Sequence, residues 1–312
     1  MYLMEGGLQK RYSIVMASKK TVSLVLGSGG ARGLAHIGVI NELNRCGYDI
    51  KAIAGSSMGA LIGGIYAMGK LDVYTRWVSE LQRTDVVRLL DLSFERNGLI
   101  KGERIMDVLK TLMGNANIEE LPVRFIAVAT DLEAEEEVRF NHGPLFDAVR
   151  ASISIPTIFT PHKYNGREFL DGSLINPLPI SAMLDAKTDL TIAVTVNSKP
   201  DLTIKSKQLQ PQRGNHHTRY QRRIAQFIDD LKSRLGRQSE DTLGMFDIIV
   251  KSMGIMEDTI TYAQLKTYKP DILIEIPRDA CSFYEFYRAR ELIEIGRQKT
   301  EKVLLSHQSL SA

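Results

Sequence analysis

Cysteine, histidine and long apolar runs are all scarce in this sequence, and each scarcity excludes a class of protein. The 312 residues contain two cysteines, Cys46 and Cys281. Two cysteines make no disulfide framework, so a reduced, cytoplasmic protein is expected. No Cys/His pair has metal-ligand spacing, and His216 and His217 are adjacent, which is poor geometry for one ion. No aspartate-rich loop resembles a calcium site either. The expectation is therefore no metal and no cofactor. No stretch reaches the roughly 18–20 apolar residues that span a membrane, so any membrane contact is expected to be peripheral, at the inner surface. The apolar piece Tyr12–Ala17 is too short for the core of a signal peptide. Residues 1–20 are expected to be a poorly ordered leader, with Met16 an alternative start. The net charge of +3 is too small to argue for nucleic acid.

With 44% apolar residues, the chain has material for a large core. Thr21–Leu26 (TVSLVL) reads as a buried strand ending at glycines, followed by a helix over Ala31–Arg45. Ile50–Ala54 and a helix over Ser57–Met68 repeat the rhythm. Alternating strands and helices imply parallel strands with crossover helices. Further helices are expected at Asp72–Gln82, Gly102–Met113, Leu145–Ser152 and from Phe283 to about Leu305. Further strands are expected at Val123–Thr130, Glu136–Phe140, Glu168–Leu170, Leu190–Val196 and Ile272–Ile276. The fold class is α/β: a single three-layer α/β/α domain over residues 21–312 with a mainly parallel central sheet. A polar, basic insertion at about 198–240 interrupts it; Lys199–Arg237 holds ten Lys/Arg against three Asp. Within it, Tyr220, Ile224, Phe227, Ile228, Leu231 and Leu235 fall at helical spacing. An amphipathic basic helix of that kind can lie on an anionic membrane surface or pack on its own domain.

Three pieces carry chemistry. Gly55-Ser56-Ser57-Met58-Gly59 is a G-x-S-x-G between a strand and a helix, the context that exposes a serine Oγ at a sharp turn. The bland alternative is a tight β–α turn. Gly27-Ser28-Gly29-Gly30-Ala31-Arg32-Gly33 follows the first strand and presents several backbone N–H groups toward one point. It suits an oxyanion hole or a phosphate cradle, but it fails the dinucleotide spacing and lacks a P-loop ending. Asp171-Gly172-Ser173 sets a carboxylate beside a glycine at a strand end, and is otherwise an ordinary Asp-Gly turn.

Together these pieces resemble the patatin-like phospholipase family. So do Ala151-Ser152-Ile153-Ser154-Ile155-Pro156, leading into Phe159-Thr160-Pro161, and Arg32-Gly33-Leu34-Ala35-His36-Ile37-Gly38-Val39. The last stretch is similar to the bacterial and neuropathy-target-esterase branch. The resemblance covers roughly Val22 to Val196. It implies a patatin-like fold and a serine esterase or (lyso)phospholipase acting on lipid acyl esters, with a Ser57–Asp171 dyad and an acyl-enzyme intermediate. It implies that the amides of Gly29, Gly30, Ala31 and Arg32 form the oxyanion hole, with Arg32 supporting the loop. Ser28 stands where the family often has Gly, and Ser173 where it often has Gly or Ala.

Rivals exist. Asp131 also ends a strand, but it lacks a following glycine and leads into the acidic run Glu133–Glu137, which reads as a solvated hairpin face. His142 and His162 precede Asp171. His216 and His217 follow it, so a Ser57–Asp171–His216/His217 triad fits the hydrolase order, although those histidines lie in an unpatterned basic stretch. His36, inside the first helix, reads as packed rather than catalytic. An acyltransferase and a non-catalytic lipid-binding protein are the alternative functions.

Overall fold

The computed structural model describes residues 19–89, 100–200 and 245–311. The expected leader up to residue 18, most of the basic insertion, its amphipathic helix and His216 and His217 lie outside the described residues. The chain opens with β1 (Thr21–Leu26), a 3-10 turn (Gly30–Leu34), α1 (Ala35–Arg45), β2 (Asp49–Ser56) and α2 (Met58–Ala67). Next come α3 (Leu71–Glu80), α4 (Arg83–Arg88), α5 (Glu103–Met113), β3 (Arg124–Asp131), β4 (Glu136–Phe140) and α6 (Leu145–Ser152). Then follow β5 (His162–Tyr164), β6 (Arg167–Asp171), β7 (Leu190–Ser198), α7 (Met245–Thr267), β8 (Ile272–Pro277) and α8 (Ala289–Ser311).

These strands form one eight-stranded sheet in the order β5-β6-β3-β2-β1-β7-β8, with β4 also paired to β3. The five strands β3, β2, β1, β7 and β8 run parallel. The pairs β3–β4, β3–β6 and β5–β6 are antiparallel. Central parallel strands are buried on both faces, which is why they read as near-continuous apolar runs. Strand periodicity divides them. Val22, Leu24 and Leu26 join the core under α1, α2 and α8. Val25, with Ala54 and Val128, joins a thinner core beneath the 3-10 segment Ile180–Met183 and Leu265 of α7. The fold is thus α/β with a mixed, mainly parallel sheet between helical layers.

The structure adds three elements that the sequence pattern does not predict. Helix α7 was not anticipated, and neither were α4 and β5. The reason is plainest for α7: Ile248, Ile255, Met256 and Tyr262 are exposed, so its apolar residues occupy more than one face and give no single stripe. The last helix starts at Ala289, after a 3-10 turn at Phe286–Arg288, rather than at Phe283.

Helices α1 and α8 touch backbone to backbone. A Cβ on Gly38 would lie 1.9 Å from the Ile293 carbonyl oxygen, and one on Gly296 would lie 2.0 Å from that of Ala35. Neither neighbour is a flexible side chain, so a methyl group must push the helices apart. Gly38→Ala is expected to cost about 1–3 kcal/mol, the range for overpacking. Thermal unfolding checks this, and an unchanged melting temperature contradicts the close crossing.

Candidate active site

Ser57 sits at the turn from β2 into α2 with φ 55 and ψ −122, a conformation that L-residues rarely adopt. Strain of this kind costs on the order of 1–3 kcal/mol and persists only where the surroundings over-determine it. Here the Ser57 amide donates to Ser152 Oγ at 2.9 Å, and Ser152 Oγ donates to the Val128 carbonyl at 2.6 Å. The turn also presses α2 onto β1: a Cβ on Gly59 would stand 2.0 Å from the Leu26 carbonyl oxygen. The glycines of the G-x-S-x-G are therefore demanded by backbone contact as well as by the turn.

The edge of β3 brings Asp171 to Ser57. Along that edge β2 pairs as far as Ser56 opposite Val128, and β6 begins at the next residue, with Asp171 opposite Ala129. The opposite edge of β3 is occupied by β4 over Ala127–Asp131, so β2 and β6 meet end to end. Gly172 lies in the seam, where a Cβ would approach the Val128 carbonyl oxygen to 2.2 Å and Ser56 Oγ to 2.8 Å. Across this seam Ser57 Oγ donates to Asp171 Oδ2 at 2.7 Å. The other carboxylate oxygen accepts from the Ser173 amide at 2.8 Å, and the Asp171 amide donates to the Ser154 carbonyl at 3.0 Å. The Ala151–Pro156 stretch thus braces both residues, Ser152 under Ser57 and Ser154 under Asp171.

Asp171 is fully buried. Burial pushes its carboxyl up to about 7 from 3.8. The hydrogen bonds from Ser57 and Ser173 work against that rise, while the charge of Glu257 adds to it.

Gly29 and Gly30 line the same cavity as Ser57, in backbone conformations of φ 156 and φ 56. Among the described residues no acceptor meets their amides. The Ala31 amide, by contrast, donates to the Phe283 carbonyl at 2.9 Å. Arg32 is half-buried and donates through Nε to the Gly29 carbonyl (3.2 Å) and through Nη1 to the Arg278 carbonyl (3.1 Å). Its side chain ties the glycine loop to the segment after β8. His36 is fully buried with Nε2 at 2.8 Å from the Gly27 carbonyl oxygen. Burial lowers its pKa to about 4, so the imidazole is neutral and anchors the loop's first residue.

The rival carboxylate is engaged elsewhere. Asp131 Oδ1 accepts from the amides of Glu133 (2.9 Å) and Ala134 (2.8 Å), and Oδ2 pairs with Arg167. These contacts hold its carboxyl below the usual range, led by the Ala134 amide. Glu133 to Glu136 are exposed. His162 pairs with Asp147 at 3.5 Å, and His142 with Asn141 at 2.8 Å.

The cavity holding Ser57 has a volume of about 1200 Å³. Ile155, Ile158, Met253, Ile255 and Phe283 give it apolar wall, and Arg83, Lys251 and Arg288 stand among its charged groups. Helix α7 supplies much of the wall, and with it Glu257. Nothing in the motifs pointed to this carboxylate, because no element had been assigned to its stretch of sequence.

Residues 24–184 match the patatin-like phospholipase family. An NTE family protein of Mycobacterium tuberculosis, itself described as uncharacterized, is 35% identical over 332 aligned positions covering 92% of each chain. The chain belongs to the patatin-like phospholipase family. It is accordingly a lipid ester hydrolase. A protein of Meyerozyma guilliermondii named lysophospholipase NTE1 is 31% identical over 194 residues, which is 60% of this chain and 13% of that protein. Among solved structures, VipD from Legionella pneumophila shares the fold at a TM-score of 0.56 and 15% identity, over 93% of this chain and 67% of that one.

Asp171 gives this patatin-like chain a stability signature with a definite sign. Its folded pKa of about 7 lies above the unfolded 3.8, so the native state holds a proton that the unfolded chain releases. The stability this confers is present below about pH 4 and lost as pH rises through about 7. Asp171→Asn removes the term. The melting temperature of the variant is expected to rise relative to the native protein from about pH 4 to about pH 7, and a constant difference across that window contradicts a buried, raised carboxyl.

Proposed function

We propose that the chain hydrolyses acyl esters of lysophospholipids or phospholipids through Ser57 as nucleophile and Asp171 as its base. The observation that carries this reading is the 2.7 Å hydrogen bond from Ser57 Oγ to a buried carboxyl whose pKa is about 7. A serine hydroxyl is a weak nucleophile until a base takes its proton. A carboxylate serves best as that base when its pKa is near the working pH. Asp171 accepts the Ser57 proton as Oγ bonds to the ester carbonyl carbon. The proton then passes to the departing alcohol as the C–O bond breaks, leaving an acyl-Ser57. Water, deprotonated by Asp171, repeats the sequence and releases the fatty acid. Negative charge on the carbonyl oxygen is met by the Gly29 and Gly30 amides, which have no other acceptor among the described residues. Each such donor is worth roughly 3–4 kcal/mol in the transition state. Ala31 contributes no amide, since its N–H is spent on Phe283. Arg32 acts through the loop, not on the substrate.

Two further parts of the reading concern surroundings. Cys46 and Cys281 are free, which fits a reducing cytoplasm. Among the described residues no helix is long and apolar enough to cross a membrane. Contact with a lipid aggregate is peripheral in this reading, and exposed Ile255 (64%), on the cavity wall, with its exposed neighbour Met256 (52%) on α7 supports docking there. Met256→Ser is expected to reduce hydrolysis of vesicle lipid while sparing a short soluble ester. Equal loss on both substrates argues against interfacial docking.

Ser57→Ala is expected to lose ester hydrolysis by at least about 10³-fold and to abolish labelling by a fluorophosphonate. In the native protein kcat/KM should rise with pH and level off above about 7, because Asp171 acts ionised. Labelling retained in Ser57→Ala overturns the nucleophile. Acyl transfer to added glycerol exceeding transfer to water, read by product analysis, favours the acyltransferase alternative.

A further inference from the structure

Glu257 reaches from α7 into the cavity. Its Oε2 accepts from Ser28 Oγ at 3.2 Å and from Asn197 Nδ2 at 2.9 Å, and the Ser173 hydroxyl lies close by, where it favours the ionised form of the same carboxyl. These three groups lie on three different strand ends. Ser28 follows β1 and immediately precedes Gly29; Ser173 follows β6; Asn197 belongs to the end of β7. Ser173 also holds Asp171 by its amide at 2.8 Å, and its hydroxyl favours the ionised form of that carboxyl as well. That hydroxyl therefore stands between two carboxylates, and its single proton can serve only one of them at a time.

The setting is costly for a group with a merely structural task. Among the described residues no cation lies within ion-pair distance of Glu257, and Arg32 acts on it at longer range. A second negative charge near a buried carboxyl disfavours that carboxyl's ionised form. We propose that Glu257 is a positioning residue of the dyad: it holds the glycine loop, the Asp171 turn and the end of β7 in one arrangement, and its charge, acting beside the Ser173 hydroxyl, makes Asp171 the stronger base. The inference rests on the reading of Ser57 and Asp171 as nucleophile and base.

Burial raises the Glu257 carboxyl itself above the usual carboxylate range, opposed by its hydrogen-bond donors and by Arg32. Other charged or titratable groups, Lys251 and Asp279 among them, line the same cavity. Arg32, from the 3-10 turn after β1, stays a cation throughout. Asp258 of α7 pairs with Arg278 at 2.8 Å. The Cys281 thiol is pushed up to about 12 by burial and stays neutral.

The test is the rate of fluorophosphonate labelling of Ser57 in the full chain from about pH 5 to about pH 9, a window that brackets the ionisation of the base. Glu257→Gln keeps an acceptor oxygen but removes the charge, so the midpoint of the rate profile should move to lower pH. Ser173→Ala removes a hydroxyl that favours ionised Asp171, so the midpoint should move to higher pH. Loss of a merely structural contact scales the rate equally at every pH and leaves the midpoint in place. A midpoint in Glu257→Gln at or above that of the native protein overturns the proposal. Should that variant fail to fold, Asn197→Ala, which withdraws the 2.9 Å donor from Glu257 and so disfavours its charged form, takes its place, and a midpoint at or above that of the native protein overturns the proposal. A native protein whose labelling is independent of pH, or persists in Ser57→Ala, contradicts the dyad itself; a normal native profile with unmoved variants contradicts only the role of Glu257.

Discussion

A carboxyl group with no exposed surface receives the hydroxyl of a strained serine, and the rest of the structure serves that contact. Each component is unfavourable alone. The Ser57 backbone costs on the order of 1–3 kcal/mol, and ionised Asp171 has lost its water. Fold contacts offset both: Ser152 and the Gly59 approach to Leu26 hold the turn, while Ser57 and Ser173 hydrogen-bond the carboxylate. The paired edges of β3 make the arrangement rigid. With β2 and β6 abutting on one edge and β4 along the other, Asp171 has nowhere to retreat. That is the physical content of a carboxyl kept near neutrality: the sheet denies it water, and the hydrogen bonds keep its charged form within reach.

Much of this was legible in the sequence because the local chemistry is written locally. A buried strand, two flanking glycines and a small-residue helix specify the Ser57 turn within five residues. The preference for Asp171 over Asp131 rested on the glycine that follows it, and the structure supplies the reason. Gly172 fills a seam in which any Cβ would strike the Val128 carbonyl, whereas Asp131 is held by the turn amides and Arg167. The meeting of the two residues was not legible. They are 114 positions apart and are joined by where β2 stops and β6 starts along β3, a matter of sheet register. Nor was α7, whose apolar residues are divided between the core and the surface.

Two serines acquire a meaning that the sequence alone withheld. Ser28 lies in the glycine loop after β1, and Ser173 lies two residues after Asp171. As letters they look like ordinary small turn residues. In the structure the Ser28 hydroxyl bonds to Glu257 from the glycine loop, and the Ser173 hydroxyl, on the Asp171 turn, favours the charged form of the same carboxyl. Glycine at Ser28 or alanine at Ser173 would leave that carboxylate with one donor fewer, and a partly buried carboxylate short of donors is unstable. The three residues are thus interdependent, and exchanging one serine should be felt at all three.

Helix α7 joins that network to the cavity mouth. Ile255, on the cavity wall, and its neighbour Met256 face solvent, while Glu257, the next residue, turns inward to Ser28 and Asn197. Neighbouring residues of a helix point about 100° apart, so one short stretch can present an apolar edge outward and a charge inward. A rigid-body displacement of the helix moves both together. A shift of an ångström breaks a 2.9 Å hydrogen bond while barely altering apolar contact at a wet rim. The inner end is therefore the more sensitive of the two, and whatever seats the rim of α7 also sets the charge beside Asp171.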